Sequence, residues 1–135
     1  MNISRVVAIA AVIAAGWICS LGVSGFTRAA KAADPPVSFQ EDVLPVFQIR
    51  CASCHSPTGE GYKASGLDLT TYKGVMAGTK FGAMVIAGDP DSSNLMRLLD
   101  WKVSAQLRMP HNKKQLSVCD RDEVRTWIRE GAKDN

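Results

Sequence analysis

Residues 51–55 read Cys-Ala-Ser-Cys-His, and this run of five constrains the chain more than any other part of it. Residues three apart on a helix project to the same side, so both thiols can meet one edge of a planar group while the adjacent imidazole reaches its centre. That is the arrangement used for covalent attachment of haem c, with Cys51 and Cys54 forming the thioethers and His55 an axial ligand of the iron. Three other uses of the pattern fit less well. A catalytic dithiol belongs in a βαβ setting, which the flanking sequence does not show. A structural zinc site takes four ligands, and Cys119 and His111 stand alone downstream. A disulfide closing so short a loop would stabilise little by chain entropy.

An electron-carrying haem iron has a second axial ligand. The candidates are Met76, Met84, Met96, Met109 and His111. Most methionines in a small domain fill gaps in the core. Met109 differs, because Pro110 follows it and Arg108, His111, Lys113 and Lys114 surround it. A stiff polar loop is a poor place for core filler and a good place for a thioether held at a fixed distance from a metal. Met109 is therefore assigned as the second axial ligand, with His111 as the alternative.

The first 32 residues read as targeting rather than fold. Arg5 precedes 21 uncharged residues from Val6 to Phe26, and Ala30-Lys31-Ala32 ends the stretch before Asp34-Pro35-Pro36. Positive start, apolar middle and small-x-small end make a secretory signal peptide cut after Ala32. The apolar stretch is also long enough to span a bilayer, so an uncleaved membrane anchor through residues 6–26 is the alternative. The flanking charges do not decide between them, since Arg5 is matched by Arg28 and Lys31. Cys19 lies within the stretch and reads as a buried apolar residue. Either way the working domain lies outside the cytoplasm, in the periplasm.

Of the 16 basic residues, Arg5, Arg28 and Lys31 belong to this segment, and the remainder equal the 13 acidic ones in number. A near-neutral domain without a basic stripe is not built to neutralise phosphates, which argues against nucleic acid as a partner.

Residues 33–37 read as a proline-rich linker and residues 38–135 as one domain. Ser38 followed by Glu41 fits a capping box, with regular helix beginning near Pro45 and running toward Cys51. Ser56 to Gly61 is turn chemistry. A short helix is expected within Thr70 to Gly78, and another carrying Leu95, Leu98 and Leu99 behind a cap at Ser92 or Ser93. The period of Phe81 to Ile86 does not decide its structure. Ser117 as cap, Asp120 three residues on, and Val124, Trp127 and Ile128 at helical spacing give a terminal helix that should pack on the first and close at Gly131. The expectation is an all-α domain with little or no sheet.

Gly66-Leu67-Asp68-Leu69, Ala87-Gly88-Asp89-Pro90, Ser92-Ser93-x-Leu95, Met109-Pro110, Leu116-Ser117 and Trp127-Ile128-x-x-Gly131-Ala132 follow the Cys-x-x-Cys-His motif in that order. Over residues 38 to 132 the pattern resembles the planctomycete-type cytochrome c domains of the cytochrome c superfamily. The resemblance implies a small helical cytochrome c fold wrapped around one covalent haem, with His and Met ligation carried onto His55 and Met109. Arg121 departs from it, standing where the family usually has an apolar residue on the terminal helix, which implies a more exposed end. Cys119 is an odd thiol set off the apolar stripe, with a partly exposed free thiol, a buried small side chain and an intermolecular bond as its readings.

The function expected is single-electron transfer between redox proteins, such as a dehydrogenase, an oxidase or a membrane complex, rather than enzymatic turnover. Phe47, Tyr62 and Trp101 are candidates to pack around the ring. Lys102, Arg108, Lys113 and Lys114 either rim its edge and steer docking or form a solvated face. The alternatives are a haem subunit tethered in a membrane complex and a ligand-binding haem sensor or enzyme in which Met109 is labile.

Overall fold

Ser38 starts the first helix by accepting a hydrogen bond from the Glu41 N–H at 3.1 Å, as a capping box requires. The reciprocal bond differs from expectation: the Ser38 N–H donates to Asp42 Oδ2 at 2.8 Å rather than to Glu41. The reason is the wider π turn over Phe39–Val43, which carries the next carboxylate back over the cap. In the computed structural model, which describes residues 35–135, α-helical pairing begins only at α1 (Leu44–Arg50). Pro45 lies in its first turn, so the change of helical register falls beside the one residue with no N–H to give.

The remaining helices are α2 (Ala52–His55), α3 (Glu60–Ser65), α4 (Tyr72–Ala77), α5 (Asn94–Leu99) and α6 (Val118–Arg129), with a 3₁₀ turn at Ala105–Leu107. Among the described residues there is no strand, only an isolated bridge between Thr79 and Gly82, so the helical class is as expected. Phe81 to Ile86, which the sequence left undecided, is irregular. No described helix is long and apolar enough to cross a membrane. The export or anchor segment, with Cys19, lies outside the described residues.

Phe39, Val43 and Phe47 recur every four residues and are fully buried. They face Val124, Trp127 and Ile128 of α6, also buried, so the terminal helix packs on the first as its spacing indicated. The Phe39 ring lies 5.2 Å from those of both Tyr72 and Trp127, and an edge-on or tilted cluster of this kind adds about 0.5–1.5 kcal/mol per pair to the area it buries. Both polar tips are satisfied: the Tyr72 hydroxyl donates to the Ala132 carbonyl at 2.9 Å, and Trp127 Nε1 donates to the Lys133 carbonyl at 2.8 Å. The two ends of the domain are joined by the Val37 N–H donating to Glu130 at 2.8 Å and the Ser38 hydroxyl donating to the Asn135 carbonyl at 2.6 Å.

The cap at Ser117 holds as read, and Thr71 caps α4 in the same way. Thr71 accepts from the Gly74 N–H at 3.0 Å, and Ser117 accepts from the Asp120 N–H at 3.0 Å. Ser93 precedes α5 but does not cap it. Its hydroxyl turns inward, donating to the Asp89 carbonyl at 2.7 Å and accepting from the Ile86 N–H at 2.8 Å, and the side chain is wholly buried. It closes the loop before the helix instead of the helix itself.

Arg121 corrects the expectation of an exposed end. Its side chain is only 19% exposed, because it pairs with Asp100 at 3.1 Å. Arg125 grips the same carboxylate with 2.8 and 2.7 Å bonds, and Lys102 approaches it at 3.5 Å. The polar residue on α6 thus meets a charge at the end of α5 rather than solvent. Burial pushes the Asp100 carboxyl up, but the Arg125 bonds and charge, Lys102 and Arg121 outweigh that and hold it below its ordinary value.

A carboxyl held below its unfolded pKa lends stability above about pH 4, and loses that contribution as the pH falls through the folded value. Asp100→Asn should therefore weaken the fold at neutral pH, by an amount between the ~1 kcal/mol of an exposed pair and the ~3–5 kcal/mol of a buried one. Its urea midpoint should also fall less than the wild type's between about pH 7 and about pH 3. Parallel pH dependences in the two proteins would show that the cluster does not carry the acid response.

Candidate functional site

The Cys-x-x-Cys-His run sits where α1 hands over to α2. The Cys51 N–H still donates to the Phe47 carbonyl at 2.8 Å, and the Cys51 carbonyl then accepts from Cys54 and His55 at 3.0 and 2.9 Å. The motif is therefore a helical turn tied to a buried aromatic residue, and its two thiols lie on one turn as the spacing required. Cys51 is half-buried and Cys54 exposed, and both are free thiols.

His55 is fixed from two directions by the chain that follows α3. Its carbonyl accepts from the Leu69 N–H at 2.8 Å, and its Nδ1 lies 3.3 Å from the Leu67 carbonyl. Nδ1 must carry the proton to donate there, which leaves the lone pair on Nε2. Burial, opposed in part by the Leu67 bond, lowers the imidazole pKa, so the ring is neutral and able to ligate near pH 7. Leu67 and Leu69 are themselves buried, so the clamp is anchored in the core.

The segment after the motif differs from the loop that its composition indicated. The turn ends at Gly59, and α3 begins at Glu60. Gly59 is needed there, because a β-carbon would fall 2.2 Å from the Cys54 carbonyl oxygen. Two residues on, a β-carbon at Gly61 would fall 2.9 Å from Cε1 and 3.0 Å from Nε2 of His55. Sequence reasoning took these glycines as turn residues and missed their role in bringing α3 against the motif.

Met109 is half-buried against the core, with its N–H donating to the Leu98 carbonyl at 3.2 Å. Met84 and Met96 are core filler, at 8% and 1% exposure, and Met76 packs at the core's margin. His111, the alternative, is exposed. Lys113, four residues past Met109, lies near enough to Cys51 for its charge to oppose the rise in the thiol pKa. Of the other basic candidates, Lys102 faces Asp100 and Arg108 stacks over the Trp101 ring at 5.3 Å, while Lys114 is exposed. Phe47 belongs to the core; Tyr62 and Trp101 are half-buried. Cys119 is exposed on α6.

These placements separate the chemistries open to the motif. Burial pushes the Cys51 thiol up to about 11, against the lowering charges of Arg50 and Lys113. A dithiol catalyst needs the opposite shift, since the thiolate is its nucleophile. Among the described residues no group of three or more His, Cys, Asp and Glu converges to hold a metal ion, so the donors of a zinc site are not assembled. The residues do fit a haem. Two unbridged thiols lie one turn apart, Nε2 has no protein hydrogen bond, and Gly61 leaves its edge clear where any side chain would press on it. The Nε of Arg108, next to Met109, is buried without a partner, a donor suited to the carboxylates that a haem carries.

A helical domain built around a Cys-x-x-Cys-His turn has the character of a c-type cytochrome, a class whose chemistry is haem-based electron transfer. Residues 51–112 match the family model of Planctomycete cytochrome C, the family that the order of the motifs resembles. No curated protein and no solved structure matches the chain.

Gly59→Ala should cost about 2–3 kcal/mol, the upper part of the range for overpacking, because the atom in the way is backbone and cannot swing aside. Thr58→Ala, at the exposed neighbouring position, should change stability by less than about 0.5 kcal/mol. Chemical denaturation of the two variants beside the wild type checks this, and equal midpoints would remove the close-approach argument.

Proposed function

We propose that the chain is a monohaem electron carrier of the periplasm, its haem bound covalently by Cys51 and Cys54 and its iron held between His55 and Met109. The observation that carries this reading is the seating of His55: Nδ1 is committed to the Leu67 carbonyl, and Nε2 is left as the only ring nitrogen able to bind a metal. The hydrogen bond fixes the ring's orientation and makes the ligand more basic.

The bound haem would supply an iron that takes up and releases one electron between its ferric and ferrous states. The protein's part is to hold the ligands still while that happens. His55 is locked by two hydrogen bonds to the Leu67–Leu69 segment, and Met109 by its N–H to Leu98. His55 and Met109 would hold the iron and leave no place on it for a substrate, and an imidazole and a thioether together would favour the ferrous state and raise the potential. The Met109 loop, half-buried against the core, supports its assignment over the exposed His111.

Export is supported by the charge and hydropathy pattern of residues 1–32, with cleavage after Ala32 giving a soluble protein and retention giving an anchored one. Exposed Lys113 and Lys114 beside the ligand loop suit an acidic face on a redox partner, so electron-transfer rates should fall as salt rises.

The test is an intact mass with visible spectra of the purified protein. One haem added to the mass of the chain and a low-spin reduced spectrum unchanged by carbon monoxide at neutral pH are the expected results. Met109→Ala should keep the covalent haem and bind carbon monoxide readily. A colourless protein would overturn the whole reading, and rapid, complete carbon monoxide binding by the wild type would overturn the carrier in favour of a ligand-binding haem protein.

A further inference from the structure

Trp101, one residue past the C-cap of α5, has φ 60. A bulky residue occupies this left-handed region only where its surroundings hold it. Here the turn brings the half-buried indole back over the ligand loop, and Nε1 donates to the Met109 carbonyl at 2.8 Å. The Met109 N–H meanwhile donates to the Leu98 carbonyl at 3.2 Å. Both backbone polar groups of Met109 are thus taken by one short stretch, Leu98 to Trp101, and the buried Pro110 follows. The Arg108 guanidinium covers the indole ring at 5.3 Å. The same corner is pinned to α6 through Asp100, gripped by Arg121 and Arg125.

We propose that Trp101 is a positioning residue for Met109: its indole N–H fixes the main chain from which the thioether projects, and so sets how firmly the sulfur holds the iron. The proposal rests on the reading that Met109 is an axial ligand. Without the indole donor, the Met109 carbonyl loses its partner, and its neighbourhood gains nothing by keeping the ligating conformation. The thioether then yields more easily to an outside ligand.

Trp101→Phe keeps a ring beneath Arg108 and removes only the donor. In the ferric holoprotein, the weak red absorption band that accompanies iron–thioether bonding reports Met109, and added imidazole displaces it. Half-displacement in the variant should need roughly three- to tenfold less imidazole than in the wild type, the ratio for one hydrogen bond of ordinary strength. Far-ultraviolet circular dichroism should be unchanged, which a merely structural role would not give.

A measurement on the wild type guards against a variant that fails to fold. Hydrogen exchange at the Trp101 indole N–H should be slow and should speed up when imidazole displaces Met109, while that of Trp127 should not change. If the wild type lacks the thioether band, or Met109→Leu leaves the band intact, the ligation reading and this proposal fall together. If the band is present and responds to Met109→Leu, but Trp101→Phe takes up imidazole at wild-type concentrations, the positioning role alone is overturned.

Discussion

The bond from His55 Nδ1 to the Leu67 carbonyl, with the backbone bond from Leu69 to His55 beside it, joins a local motif to a folded domain. A Cys-x-x-Cys-His turn by itself presents two sulfurs and a freely rotating ring. Once the ring nitrogen is spent on a carbonyl anchored by buried leucines, one lone pair with one direction remains. The glycines at 59 and 61 serve the same end, because they admit the α3 backbone to within contact of the motif.

Met109, the proposed second ligand, is held by different means. It lies in an irregular stretch, with no helix of its own to stiffen it, and its position comes from hydrogen bonds to the last turn of α5 and the corner beyond. That corner is fastened by the Asp100 carboxylate to two arginines of α6. The histidine side of the site is therefore rigid through local helix and close packing, and the methionine side through long-range polar contacts. Buried pairs of this kind contribute little net stability, but removing one partner is costly, which makes them better at fixing a geometry than at strengthening a fold.

Much of this was legible in the sequence where the physics is local. Ser117 caps the helix it precedes because a hydroxyl and an N–H three residues on are enough to define the contact, and the helix expected within Thr70 to Gly78 starts from Thr71 by the same rule. The stripe of Val124, Trp127 and Ile128 fixed which face of α6 is buried, and the motif and Met109 stood out by spacing and setting. What could not be read depends on partners distant in sequence. Arg121 looked like an exposed departure because Asp100, 21 residues away, is visible only once the chain has folded. Ser93, with Ser92 one of two candidate caps, turns its hydroxyl to Ile86 and Asp89 in the preceding loop. Gly59 looked like a turn residue, and the carbonyl that excludes a side chain there belongs to Cys54. A glycine two residues before a half-apolar segment, with a second glycine two later, was the one available hint of close backbone approach.

The meeting of Val37 and Ser38 with Glu130 and Asn135 has a consequence for how such a unit can be used. A polypeptide whose entrance and exit are neighbours can be spliced into a surface loop of a host without prising either apart. The same closure that seals one side of the aromatic cluster thus makes the helical unit portable, ready to be inserted as a cassette as readily as it is appended to an end.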